Sequence, residues 1–307
     1  MARGLKSGSY ISDAPLVFAV SAIVEGLVTL ALASIFVFSI LRISTRSRPI
    51  WYFYATMSTL FIGYTLRMAS FSVYAYYDKP EVYLSFEDRY LFMLLSAKRL
   101  EPVARLFRHL GAALCSVTLV ELGQRYIWGS NQRTPLQIGR AAVWTSAGVA
   151  SALALTHCIL AQREIDPDLM AVERLGLPRV PRLDEVFNGN RVVAVVICAA
   201  LLVLFAGGIA VLGMAIYASC ITPGEEKRAA ASVDISLMLV VASVILVIVR
   251  GWNMAEVHLL LNPYRRVQSK HMDWWYWCEL VLDRVATSLI LLLVYNIGKK
   301  ASVLDTQ

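Results

Sequence analysis

A chain of 307 residues that is 58% hydrophobic, 17% charged and has a mean hydropathy of +0.59 is excluded from the ordinary soluble globular class. The formal charge of +7 does not point to nucleic acid, because basic residues collect beside membrane helices and no basic, aromatic-interleaved patch stands apart from them. The five cysteines (Cys115, Cys158, Cys198, Cys220 and Cys278) fall within or at the ends of apolar stretches and form no CxxC pair, which argues against both a loop disulfide framework and a zinc site.

Seven stretches reach the ~20 apolar residues needed to cross a bilayer. They cover 15–41, 51–77, 103–128, 138–161, 191–220, 230–257 and 274–297. They predict an all-α polytopic membrane protein, a single seven-transmembrane-helix bundle over 1–307 with no separate soluble domain. The first span is too long for a cleavable signal peptide and reads as a signal anchor after a short polar tail. It carries Glu25. A basic turn, Ser44-Thr-Arg-Ser-Arg-Pro49, leads to the aromatic Trp51-Tyr-Phe-Tyr54, suited to the headgroup layer at the start of the second span. Arg67 lies ten residues before the far end of that span, at a depth matching Glu25, so the two are expected to pair.

The connector 78–101 is mixed in charge, and its Tyr90-Leu-Phe-Met-Leu-Leu95 run is expected to lie in the interface. In the third span Glu121 and Arg125 are four apart, acid first, which favours a local structural pair. Ala141, Ala142, Ser146, Gly148, Ala150, Ser151, Ala152 and Ala154 make the fourth span rich in small residues, so a central, closely packed helix is expected there. His157 reads as a hydrogen-bonded structural histidine. The connector 162–190, with three prolines, reads as a solvated loop. In the fifth span, Gly207, Gly208 and Gly213 mark close packing or a bend.

The last two spans concentrate the ionisable residues: Arg250, Glu256, Glu279, Asp283 and Arg284. Charges near the centre of a span cost at least ~2.5–3.5 kcal/mol each and need partners or water. Arg250 and Glu256 are six apart, on different helix faces, while Glu279 and Asp283 share one. Antiparallel packing brings Arg250 to the depth of the other two, so an interhelical pair of Arg250 with Glu279 or Asp283 is expected. Glu25, Arg67, Arg250, Glu256, Glu279, Asp283 and Arg284 all fall in the half nearer the N-terminal side and are the candidate ligand-binding residues, around a polar vestibule open to that side. The short turns on the opposite side are densely basic, which favours a cytoplasmic C-terminus and an N-terminus outside.

There is no Walker loop, Rossmann glycine fingerprint, HExxH, serine elbow or kinase signature. The reading is therefore of a protein that is not an enzyme, with no cofactor and no metal. Lys299 and Lys300 lie beyond the last span, which disfavours a retinal protein. Ile62-Gly-Tyr-Thr-Leu-Arg67, Arg250 followed by Glu256, and Asp273-Trp-Trp-Tyr-Trp277 leading to Asp283 resemble the fungal lipid-translocating exporter family, seven-span proteins associated with aminocholesterol resistance and release of sphingoid bases. The resemblance implies that Arg67, Glu256 and Asp283 correspond to that family's polar intramembrane positions, and that the activity is lipid transport. Two features depart from the family pattern: Asn253 stands where a second arginine is usual, and no proline follows Asp283. The expected function is to bind an amphipathic, cationic or zwitterionic lipid and aid its translocation or export at the plasma membrane. Membrane lipids are the partners, with a protein partner or a homo-oligomer left open and no nucleic acid. The alternatives are a seven-span receptor signalling to a cytoplasmic partner, and a structural subunit of a larger membrane assembly.

Overall fold

A computed structural model describes residues 14–42, 48–77, 87–125, 134–175, 191–221, 229–261 and 272–304, and these are helical throughout. The helices are α1 (Ala14–Arg42), α2 (Arg48–Tyr77), α3 (Glu87–Gly123), α4 (Thr134–Leu175), α5 (Arg191–Ile221), α6 (Ala229–Leu261) and α7 (Met272–Leu304). Pro49 and Pro135 fall one residue inside the starts of α2 and α4, where a proline lacks only a donor that has no intrahelical partner anyway. The all-helical class is as the sequence indicates. Five of the helices are long and apolar enough to cross a membrane, over Phe18–Leu41, Ser96–Gly123, Thr134–Arg163, Val192–Cys220 and Asp234–Met254. That makes the chain an integral membrane protein.

Two element boundaries differ from the sequence expectation. The Tyr90–Leu95 run, expected in the interface, is the first part of α3, which continues unbroken through Pro102 to Gly123. A proline removes one backbone bond, but the turns on either side of Pro102 remain helical. Likewise α4 runs on to Leu175 through residues expected to begin a solvated loop. Both extensions are amphipathic or charged, so hydropathy alone gave no reason to continue the helix.

Each helix packs on the next in sequence, and α7 returns to α1, closing a ring. The helix α3 touches α5, α6 and α7 as well as α2 and α4, and has the largest buried share of the five apolar helices. It is the central helix, which corrects the expectation for α4. Small residues on α4 do permit close approach at some positions: a Cβ on Gly139 would meet Met214 Sδ at 2.5 Å, and one on Gly207 of α5 would meet Ser146 Oγ at 2.5 Å. Others, such as Ala141, Ala142 and Gly148, face outward, with nothing within 4 Å of a Cβ on Gly148. Small side chains allow burial but do not compel it. The closest join in the bundle is between α2 and α3, where a Cβ on Gly111 would lie 2.5 Å from Leu60 Cγ and one on Gly63 would lie 2.9 Å from Arg108 Cγ.

The exterior of the ring is apolar. Leu27, Leu30, Phe38 and Leu41 on α1 and Val195, Leu202, Ile209 and Ile216 on α5 are exposed, a surface that water would not tolerate on this scale. Inside, Leu32, Met57, Leu119, Leu204, Leu239 and Leu291 from six helices form part of one core.

Candidate functional site

The site begins with a problem of charge in an apolar bundle. Glu25 lies eleven residues from the start of α1 and Asp283 eleven from the start of α7, about 16 Å along each axis at ~1.5 Å per residue. At that depth each carboxylate needs a charged donor, and Arg284 serves both. Its Nε and Nη2 donate to Glu25 Oε1 at 3.0 and 2.6 Å, and its Nη1 donates to Asp283 Oδ2 at 2.6 Å. One guanidinium therefore bolts α1 to α7, using the planar fork that suits arginine to this task. Arg284 and Glu25 are both fully buried, at 0% exposure.

Three further helices reach the same pair of carboxylates. Arg108 of α3 donates from Nη2 to Asp283 Oδ2. Arg67 of α2 has its Nε 3.5 Å from Glu25 Oε1. Asn253 of α6 offers its Nδ2 to Asp283 Oδ1 at a long 3.4 Å. Beneath the cations lies the ring of Tyr64 from α2, 5.6 Å from the Arg108 guanidinium carbon and 5.7 Å from that of Arg284. The aromatic face offers partial negative charge where a third carboxylate is lacking. Arg67 packs in the same way over Phe71, at 5.0 Å. The network thus joins α1, α2, α3, α6 and α7. Its centre is closed, while the side chains of Arg67 and Arg108 retain 13% and 15% exposure at its edge.

The expected pairing of Glu25 with Arg67 is present. Arg250 with Asp283 is different: among the described residues Arg250 forms no ion pair, and the arginines that bond Asp283, at Oδ2, are Arg108 and Arg284. Arg250 is buried nonetheless, and its Nε has no hydrogen-bond partner among the described residues. The side chains of Glu256 and Glu279, and with them the expected Arg250–Glu279 pair, lie outside the described residues.

Arg108, Tyr64 and Asn253 belong to the network and were not among the candidates from sequence. Arg108 did carry a signal. It lies inside an apolar span with no acid three or four residues away in either direction, so its partner had to come from another helix. Arg105, by contrast, has Glu101 four residues back and pairs with it at 2.7 Å. Tyr64 had no such mark, since a tyrosine in a span is ordinarily packing.

A second polar cluster lies toward the opposite side. Arg140 of α4 donates to both oxygens of Glu121, from Nε at 2.7 Å and Nη2 at 2.9 Å, and Trp144 Nε1 donates to Oε1 at 2.9 Å. Both oxygens of Glu121, which was expected to form a local pair with Arg125, are engaged by α4, so Glu121 also clamps two helices together. Trp144 also meets Tyr52 of α2 edge-on at 5.4 Å. His157, read from sequence as a hydrogen-bonded structural histidine, is buried. Cys115, Cys158, Cys198 and Cys220 are free thiols, and Cys278 lies outside the described side chains.

No family model, no curated protein and no solved structure matches this chain.

Proposed function

We propose that this is a seven-span membrane protein that binds the head of an amphipathic lipid at the Glu25–Arg284–Asp283–Arg108 network and helps it cross or leave the bilayer. The observation that carries this reading is the network itself. It sits deep in the bundle on the N-terminal side, ties five helices together, and leaves Arg67 and Arg108 partly accessible at its edge. A purely apolar core would hold these helices at far lower desolvation cost. Retained charge at this depth is the usual mark of a substrate path or polar relay.

The seven-span topology is part of the proposal, and the orientation of side chains supports it. The helix α7 carries charged residues such as Asp283 and Arg284, and these face inward and are buried. Its outward face presents Val285, Leu289 and Leu292, an apolar stripe at helical spacing. In α2, Trp51, Phe61 and Ile62 face out while Thr56, Tyr64 and Ser70 face in. Lipid would meet only the apolar faces. We place the N-terminus outside and the C-terminus in the cytoplasm, at the plasma membrane. The resemblance of Ile62–Arg67 and the last hairpin to lipid-translocating exporters agrees with the reading.

The test is reconstitution of the full chain into vesicles carrying a fluorescent single-chain lipid, with transbilayer movement followed by quenching from outside. The expected result is movement faster than in protein-free vesicles, and slowed by Arg67→Gln, a change at the accessible edge that leaves the Arg284 bonds in place. Folded wild-type protein that moves lipid no faster than empty vesicles would sink the proposal.

A further inference from the structure

A cleft of about 490 Å³ opens between the start of α4 and the end of α5, on the side of the molecule away from the Glu25–Arg284 network. Its shape follows from which side chains are small. The two helices close on each other deeper in the bundle, where a Cβ on Gly207 would lie 2.5 Å from Ser146 Oγ. Toward Thr134 and Tyr217 the gap is left open. Gly213 is exposed there with nothing within 4 Å of a Cβ, and Ala210 one turn away offers a single methyl. Met214 is buried against Gly139 and makes the floor. On the α4 side stands Ile138, 65% exposed.

Both walls belong to helices long and apolar enough to cross the membrane, over Thr134–Arg163 and Val192–Cys220, so hydrocarbon is what meets the cleft from outside. The polar side chains of its lining are Thr134 and Tyr217, which lie within one or two turns of the helix ends. A tyrosine at that level has its ring in the apolar layer and its hydroxyl toward the headgroups. The cleft is thus polar at its mouth and apolar along its length. A transmembrane helix from a second copy fits it poorly. Close helix crossings need a flat face of small residues, and Gly213 is flanked on α5 by the exposed Ile209 and Ile216. A single hydrocarbon chain is narrow enough to lie between such side chains.

We propose that this cleft is a lipid-binding groove, which seats one acyl chain of a bilayer glycerophospholipid lengthwise between α4 and α5 with its ester end at Thr134 and Tyr217. The chain touches α4, α5 and the Met214 floor together, where an open helix face would touch it on one side only. The groove is separate from the lipid-handling reading above. It requires that α4 and α5 cross the membrane, and it assigns no transport to this side.

The experiment places the full chain in phosphatidylcholine vesicles containing a minor fraction of phosphatidylcholine with a diazirine in the upper half of one acyl chain. After irradiation, labelled peptides are quantified by mass spectrometry. The comparison is the outward face of α1 at Phe38 and Leu41, which are exposed near the end of α1 on the same side of the molecule. Labelling over 134–139 and 210–217 should exceed that at Phe38 and Leu41 by about threefold or more, since contact on several sides holds a chain longer. Gly213→Leu fills the cleft from its open side and should bring labelling down to the level of α1, with the unfolding temperature in detergent unchanged. Ile138→Ala lowers one wall without entering the bundle and should remove part of the excess, which keeps the proposal testable if Gly213→Leu does not fold. Labelling no higher than at Phe38 and Leu41 would mean ordinary boundary lipid and would overturn the groove, as would undiminished labelling in both variants. Disulfide-linked dimers of Gly213→Cys in an otherwise cysteine-free chain would give the cleft to a second copy. Loss of the label to added cholesterol but not to added unlabelled phosphatidylcholine would give it to a sterol, and either result would overturn the acyl-chain assignment.

Discussion

Arg284 donates three hydrogen bonds inside the bundle. It is among the largest fully buried side chains and bonds both Glu25 and Asp283. Removing one member of a buried charge pair leaves the other uncompensated, which costs about 3–5 kcal/mol. Arg284→Met takes every hydrogen bond from the Glu25 carboxylate, leaving it only the 3.5 Å approach of Arg67, and is expected to cost about that, read as a fall in unfolding temperature in detergent. The contrast is Lys300, whose 2.6 Å bond to Asp234 is exposed. Lys300→Ala should change stability by under about 1 kcal/mol. A double-mutant cycle of Glu25→Gln with Arg284→Gln should show strong coupling, the pair costing far less than the sum of the singles. Additive losses would mean that the two residues stabilise the bundle separately.

At the scale of elements, the join between α2 and α3 sets the geometry of the site. Gly63 lets the backbone of α2 approach Arg108, since a Cβ there would lie 3.0 Å from the Arg108 backbone nitrogen and 3.1 Å from the Ala104 oxygen. Those neighbours are backbone atoms and cannot swing away. Gly63→Ala should therefore separate the two helices slightly, costing about 1–3 kcal/mol by overpacking, and shift Arg108 relative to Asp283. Gly148 on the outer face of α4 is the control: with nothing near a new Cβ, Gly148→Ala should be neutral or stabilising by up to about 1 kcal/mol through helix propensity. Equal effects at the two glycines would show that α2 and α3 are not in close contact. Thr56 and Thr118 add a buried hydroxyl pair at 3.0 Å across the same join, and Ser70 donates to the Ala97 carbonyl at 3.1 Å. Small and hydroxylated residues are what allow so close a contact to be made without leaving polar atoms unpaired.

For the whole molecule, the question is whether α2 and α7 cross the bilayer with the other five helices. If α2 does, cysteines placed at Ser44 and Ser85 in a cysteine-free background label from opposite sides with a membrane-impermeant maleimide. Labelling from the same side would remove α2 from the membrane and the seven-span topology with it. A label at Ser44 from the cytoplasmic side would support the orientation with the N-terminus outside.

The class of the protein was legible in the chain because it depends on quantities that sum along the sequence. Long apolar stretches compel helices, since a backbone in hydrocarbon must bond to itself. Depth along a helix is also a linear quantity, which is why Glu25 and Arg67 could be matched from their distances to the helix ends. What only the tertiary structure decided was azimuth: which way each side chain points and which of several charges at one depth meet. Asp283 had Arg250 as its expected partner, and Arg108 from the central helix lies there instead. Glu121 had Arg125 on its own helix as its expected partner, and nothing in the sequence signalled that Arg140 would reach both its oxygens from α4. The centre of the bundle went to α3 and not to the small-residue helix α4, because position in a ring depends on every helix at once. A local pattern lists the charges and their depths; only packing chooses among the pairings, since each choice removes a partner from the rest.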